Sequence, residues 1–510
     1  MRDYDNTARF ILRLFLGLVF VYAGVSKLFK NSVPPVEKII SFIPPDIMVW
    51  VIGLLQVIIG IFLILGLFTR ISAWAGAACL FLGIIFAAYL TSMNIIPGYF
   101  ELHAFWKDVG LFGAMLFMAL EGPAEFSLDK QIEKFLFFFS NMTVPKQYRC
   151  VVCKRTFSYD SVIFSCPKCG GSLDIEYDYK VVKKKIIKSN FVHEPVNHWK
   201  YWMFYPTEDL SNIVSFKEGG TPLIDSVKTK GYMFKHEGIS LSGAFKDRGT
   251  TIEISKAREL GVKDVACATT GNMGGSVSAY CARAGINAHI FIPKFAPANK
   301  LAQIRAHGAK VKVINGTYED AVTKTLEMRE KYGCYLSGDY PHRGEGEKSV
   351  GFEIVDQLNW MLPDYIVTPV GNATLFSGVY KSLEELKKVG LIKKLPRLVA
   401  VQGKGCSPLV TAFDNHSEIK EVKKPKTVAS AICCGRPVDG EKALKALRNT
   451  KGFAVSVTDK EIVGARKLLA SEGIFAEPSG AVSYAGALKL GLKGEVVCVL
   501  TGHGLKDPVL

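Results

Sequence analysis

Lys246 lies in Ser242-Gly243-Ala244-Phe245-Lys246-Asp247-Arg248-Gly249, after a small-residue turn and before a stretch, Thr250 to Leu260, that reads as a helix. A lysine becomes a nucleophile when burial or neighbouring cations lower its pKa, and it then forms Schiff bases with carbonyl compounds. Solvated lysines at helix starts are far commoner, so the octapeptide does not decide by itself. A second group has ligand chemistry: Cys150, Cys153, Cys166 and Cys169 form two C-x2-C pairs. Two such knuckles on hairpin turns bring four thiolates into the tetrahedron that Zn²⁺ prefers and leave no position for water, so the expected site is structural zinc. Iron is the lesser reading of the same four sulfurs.

Three further stretches share one pattern. Thr269-Thr270-Gly271-Asn272 follows the apolar run Val265 to Ala268, Pro369 to Gly378 follows Tyr365 to Thr368, and Thr501 to Pro508 follows Glu495 to Leu500. Each reads as a strand and then a glycine-bearing turn, the place where an open α/β sheet offers backbone N–H groups to phosphate or carboxylate. With Glu218-Gly219-Gly220-Thr221-Pro222-Leu223 and Glu477-Pro478-Ser479-Gly480-Ala481, these motifs make the chain from about residue 215 onward resemble threonine synthase, a fold-type II pyridoxal-phosphate enzyme. Threonine synthases often carry an amino-terminal zinc ribbon as well.

The resemblance implies an α/β catalytic module of two open-sheet domains, the smaller at about residues 250–350. It implies that Lys246 holds pyridoxal 5'-phosphate as a Schiff base and moves protons among the substrate's carbons. Asn272 would bond the cofactor's phenolic oxygen, Thr501 would meet the ring nitrogen, and Gly371, Asn372, Ala373, Thr374 and Leu375 would cradle its phosphate. Thr270 and Gly271 would receive the substrate carboxylate, and Arg343 the substrate's leaving phosphate. The implied reaction is that of a lyase converting O-phosphohomoserine and water to threonine and phosphate. Ser337-Gly338 stands where the family usually has Asn-Ser, Met273 replaces a small polar residue, and the cradle reads Ala-Thr-Leu-Phe. Those departures bear on the leaving group. They keep two competitors open, β-replacement on O-phosphoserine to make cysteine or cysteate, and a non-catalytic membrane sensor with a degenerate fold.

These residues need elements to hold them. A chain of 510 residues is a prior for about three domains. It is 49% hydrophobic with a mean hydropathy of +0.19, and the apolar excess falls in the first third. Phe10 to Phe29, Ile47 to Phe68, Ile71 to Ser92 and Trp106 to Leu120 predict a bundle of four transmembrane helices, with Pro34-Pro35, Pro44-Pro45 and Pro97-Gly98 in the loops. A buried soluble bundle is the competing reading. Through Gly17 to Leu28, Gly66-Leu67-Phe68-Thr69-Arg70 and Lys107-Asp108 the region resembles the DoxX family of small membrane proteins. Gln56 stands where that family often has an acid. Arg13 and Lys27, in or near the first span, are either functional or snorkel to the headgroups.

The expected division is a DoxX-like transmembrane domain at 1–140, a zinc ribbon at 145–180 and the catalytic domain at 190–510. An interfacial helix is expected over about 124–139, and a basic run, Lys180 to Lys188, reads as either lipid-facing or a solvated linker. The net charge of +16 accompanies no motif for nucleic acid, so none is expected as a partner. The expected partners are a small phosphorylated amino acid and the lipid bilayer, and a homodimer is allowed. Twelve cysteines without a cleavable signal argue for a reducing compartment. The expected location is therefore the cell membrane, multi-pass, with the catalytic domain cytoplasmic.

Overall fold

The computed structural model describes residues 2–30, 45–92, 103–122, 127–129, 145–188, 191–294 and 296–507. The chain divides into two compact units, Met1–Asn141 and Met142–Leu510.

The first unit contains helices α1 (Arg2–Lys30), α2 (Pro45–Leu65), α3 (Thr69–Ser92) and α4 (His103–Glu121). α1 and α2 meet through glycines: a Cβ on Gly24 would lie 2.5 Å from the Gly53 carbonyl oxygen, and one on Gly60 would lie 2.7 Å from that of Gly17. Small residues at such positions let two helix backbones approach. Lys27 Nζ donates to Gln56 Oε1 at 3.0 Å across this contact. Arg13 is 1% exposed, so its side chain turns into the bundle and does not snorkel. The Asp129 carboxylate accepts from the backbone N–H groups of Phe68 and Thr69, each at 2.7 Å, and so caps the start of α3. Large apolar side chains, among them Phe15, Trp50, Leu82 and Trp106, face outward.

Among the described residues two helices, Thr7–Phe29 and Thr69–Tyr89, are long and apolar enough to cross a membrane, and Val49–Leu65 is a shorter apolar helix. Four helices stand where four spans are expected, and two of them have spanning length and hydropathy. α4 carries Lys107 and Asp108, which lower its hydropathy. The loops at 31–44 and 93–102, and most of the segment 124–139, lie outside the described residues.

The second unit begins with an antiparallel sheet of β1 (Pro145–Cys150), β2 (Thr156–Phe157) and β3 (Leu173–Tyr177) in the order β2-β1-β3. The basic run that follows is a helix, Tyr179–Lys188, whose first N–H groups meet the Asp178 carboxylate and whose Val182 and Ile186 are buried. It is therefore packed structure on one face, and its Lys180, Lys183 and Lys184 are exposed.

β4 (Leu223–Asp225) and β5 (Tyr232–His236) open the large sheet. β6 (Asp264–Ala268), β7 (Asn287–Pro293), β8 (Lys310–Ile314) and β9 (Tyr335–Ser337) form a separate parallel sheet in the order β8-β7-β6-β9. β10 (Tyr365–Pro369), β11 (Arg397–Gly403), β12 (Phe453–Val457) and β13 (Val496–Leu500) complete the large sheet in the order β12-β11-β10-β13-β5-β4. Only β4 in it runs antiparallel to its neighbour. β13 is buried at every position, as expected for a parallel strand covered on both faces. The carboxyl ends of β6, β10 and β13 lead straight into the three glycine-bearing turns.

Candidate active site

The three turns converge with Lys246 on a cavity of about 760 Å³. Its wall includes Lys246, Thr270, Asn272, the whole of Gly371 to Leu375, and Thr501. Gly271 and Arg343 are not in the wall.

Lys246 is the first residue of the helix Lys246–Glu259 and its ammonium lies 3.0 Å from Glu347 Oε1, 3.6 Å from Asp339 Oδ1 and 4.4 Å from the centre of the Phe245 ring. Burial acts to lower its pKa, but Glu347 and then Asp339 outweigh that effect and hold the lysine above its ordinary value. The expected depression of the lysine is thus reversed by two carboxylates that the octapeptide gave no hint of. Glu347 is a ready acceptor for the proton that Lys246 must lose before it attacks a carbonyl.

Gly371 to Leu375 form the turn between β10 and the helix Thr374–Val389. Ala373 is in the left-handed region at φ 68°, which turns the chain so that the helix amino terminus faces the cavity. Free N–H groups and the helix dipole at such a terminus suit a phosphate. The same turn binds an internal anion: Asn372 Nδ2 donates to Asp339 Oδ2 at 2.7 Å and Thr374 Oγ1 donates to Asp339 Oδ1 at 3.1 Å. Burial pushes the Asp339 carboxyl up, yet Lys246 and Arg343 together hold it below its usual value, so it stays ionised.

Asn272 opens the helix Asn272–Ala284. Its Nδ2 donates to Glu477 at 2.9 and 3.2 Å, while its buried Oδ1 has no partner. Thr501 Oγ1 is 3.4 Å from the same Glu477 carboxylate. A buried amide with one end unmet, a hydroxyl, a lysine and a helix amino terminus around one cavity are a donor set that fits pyridoxal phosphate. Gly271, at φ 143°, precedes the helix that Asn272 begins, and a Cβ there would lie 2.2 Å from the Lys300 side chain.

Arg343 lies outside the cavity wall, in a setting its motif gave no sign of. It is fully buried, paired with Glu253, and donates to Thr250 Oγ1 and Ser337 Oγ, each at 3.2 Å, and to the Gly338 carbonyl oxygen at 3.1 Å. Its guanidinium also lies 3.8 Å from Glu347. A fork so engaged holds Glu253 and Glu347 in place.

The residues that sequence reasoning missed are acidic: Asp339, Glu347 and Glu477. Glu347 stands four residues after Arg343, an i,i+4 pair legible in the sequence once a helix is assumed. Glu477 opens Glu-Pro-Ser-Gly-Ala, a motif recognised without a role for its acid.

The sulfur atoms of Cys150, Cys153, Cys166 and Cys169 all lie within 4.8 Å of one another. Cys150 Sγ is 3.5 Å from Cys169 Sγ, and Cys153 Sγ is 3.7 Å from Cys166 Sγ. The four are one cluster whose all-sulfur donor set fits a tetrahedral metal. The ribbon that carries them braces the short helix Pro341–Glu347: Tyr177 OH donates to Glu345 Oε2 at 2.8 Å, and Tyr159 OH is 2.7 Å from His342 Nε2. Arg343 and Glu347 of that helix turn instead toward Lys246.

Two open, mainly parallel sheets with a lysine and a phosphate-suited helix terminus at one cavity define a fold-type II pyridoxal-phosphate enzyme. The family model described as "Pyridoxal-phosphate dependent enzyme" matches residues 214–502, and the DoxX family model matches residues 8–90. The chain is 42% identical over 376 residues to the threonine synthase of Methanocaldococcus jannaschii, covering 71% of this chain and 93% of that protein. It is 42% identical over 377 residues to the threonine synthase of Methanosarcina acetivorans, covering 71% and 92%. The processed form of threonine deaminase isoform 2 from Solanum lycopersicum shares the fold with a TM-score of 0.51 at 23% identity, over 67% of this chain and 93% of that one. The chain belongs to the pyridoxal-phosphate-dependent enzyme family and, within it, is a threonine synthase-like lyase.

Proposed function

We propose that this lyase converts O-phosphohomoserine and water to threonine and phosphate while its amino-terminal helices anchor it in a membrane. The observation that carries the reading is the convergence of Lys246, Asn272, Thr501 and the Gly371–Leu375 turn on one cavity. The cofactor, when bound, supplies an electron sink that makes the substrate's α and β protons acidic. Lys246 is the residue that would bond to it and would carry protons between substrate carbons, with Glu347 beside it, 3.0 Å from its ammonium, to hold the proton in transit. The N–H groups of Gly371 to Leu375, with the side chains of Asn372 and Thr374 beside them, would hold the cofactor phosphate. Asn272 would bond the phenolic oxygen, Thr501 would meet the ring nitrogen, and Thr270 with Gly271 would receive the substrate carboxylate.

The proposed division is a DoxX-like membrane domain at 1–140, a zinc ribbon at 145–180 and the catalytic domain at 190–510. The DoxX match, two helices of spanning length and the outward apolar side chains support anchoring in the cell membrane. The proposed orientation places the catalytic domain in the cytoplasm, where thiols stay reduced and the metabolite substrate is found. Zinc is the proposed metal because four thiolates at this separation suit it. A homodimer remains compatible with this assignment.

The test is to incubate detergent-solubilised, cofactor-loaded protein with O-phosphohomoserine and assay phosphate and threonine. Equal amounts of both products are expected. Phosphate release from O-phosphoserine with sulfide or sulfite, and none from O-phosphohomoserine, would replace this reading with β-replacement.

A further inference from the structure

We propose that Arg436 binds the substrate's leaving phosphate, in place of the sealed Arg343; this rests on the phosphorylated-substrate reading above.

A phosphate dianion entering the cavity meets a wall that carries Glu319, Asp339, Glu421 and Glu477. The cations of that wall are Lys246, Lys423 and Arg436. Lys246 is held by Glu347 and Asp339 and is committed to the cofactor. Arg436 is exposed, and among the described residues no acidic side chain pairs with it, so its fork is available. Bidentate N–H geometry matches phosphate better than the point charge of Lys423.

The backbone beneath Arg436 is tied to the cradle on both sides. Two residues earlier, Cys434 Sγ donates to Asn372 Oδ1 at 3.0 Å. Three residues later, the Asp439 N–H donates to the Asn372 carbonyl oxygen at 3.0 Å. Between them the Gly435 carbonyl accepts from Val422 N–H at 3.0 Å, and a Cβ at Gly435 would lie 2.3 Å from the Val422 carbonyl oxygen. Arg436 therefore projects from a segment whose position is fixed by a cradle residue, with a long side chain free to close on a ligand. Such an arrangement separates two phosphates: backbone N–H groups of the cradle for the cofactor, and an exposed guanidinium in the same wall for the group that must leave.

The experiment compares the full-length protein with Arg436→Ala and Arg436→Lys, using O-phosphohomoserine as substrate and inorganic phosphate as a competitive inhibitor. For Arg436→Ala, kcat/KM and phosphate affinity should both fall about 10- to 100-fold, the worth of one charge-assisted contact. Arg436→Lys should recover part of each. Cofactor affinity, read by absorbance titration, should be the same in all three proteins. Wild-type turnover with an unchanged Arg436→Ala variant overturns this inference and leaves the substrate reading standing. A parallel loss of cofactor affinity also overturns it, because Arg436 would then serve the cofactor phosphate. Failure of the wild type to use O-phosphohomoserine or to bind phosphate overturns both.

Discussion

The ammonium of Lys246 lies 3.0 Å from the Glu347 carboxylate; Lys246 begins one helix at the cavity and Glu347 ends another behind it. The pair stores the proton that the lysine must give up before it bonds to the cofactor. Because the lysine's pKa is raised, its side of the pair contributes stability that is fully present below the lysine's ordinary value and is lost as pH rises through the raised one, while burial pushes the Glu347 carboxyl up and offsets part of that contribution.

The pairing sets a pH dependence. Loading of pyridoxal phosphate onto stripped protein should accelerate as pH rises, and Glu347→Gln should shift that profile to lower pH because one of the two carboxylates holding the proton is gone. Absorbance during loading reads both, and an unmoved profile would sink the proton-holding role. Lys246→Ala should retain no cofactor after hydride reduction and lose roughly 10²–10⁴-fold in turnover.

Arg343→Ala should act on stability. It leaves Glu253 buried without its cation, at a cost of about 3–5 kcal/mol, readable in denaturant melts. Arg343→Lys should restore part of the charge but not the fork. A variant of unchanged stability with a raised KM for the phosphorylated substrate would return Arg343 to the role first expected of it.

Metal removal should reach the active site through the helix Pro341–Glu347. One zinc per chain is expected, lost when Cys150 and Cys166 are both changed to serine. Loosening the ribbon frees His342 and Glu345, so Tm and turnover should fall together in the zinc-free protein. An iron–sulfur chromophore, or full activity without metal, would contradict this coupling.

Membrane anchoring should survive alkaline carbonate extraction, with the protein staying in the pellet until detergent is added. Gly60→Leu should separate α1 from α2, since any side chain there meets the Gly17 backbone, and should lower the yield of membrane-integrated protein. A cysteine placed at Lys184 should be shielded from an impermeant thiol reagent in intact cells. Ready labelling there would reverse the proposed orientation.

The sequence by itself determined the family, the lysine, the cysteine quartet and the three turns, because each is a local pattern: a strand, a glycine-bearing turn and a helix start lie within one short stretch of chain. It also marked the apolar first third, since hydropathy is a property of composition. What it could not decide is which charges face one another. Glu253 and Arg343 are 90 positions apart, Lys246 and Glu347 101, and Asn272 and Glu477 205. Arginine in the right motif therefore read as a phosphate clamp until the tertiary structure closed Glu253 over it. Lys246 read as depressed until two carboxylates from another element were brought beside it. Electrostatic roles depend on distance and burial, and those exist only once the sheets have packed.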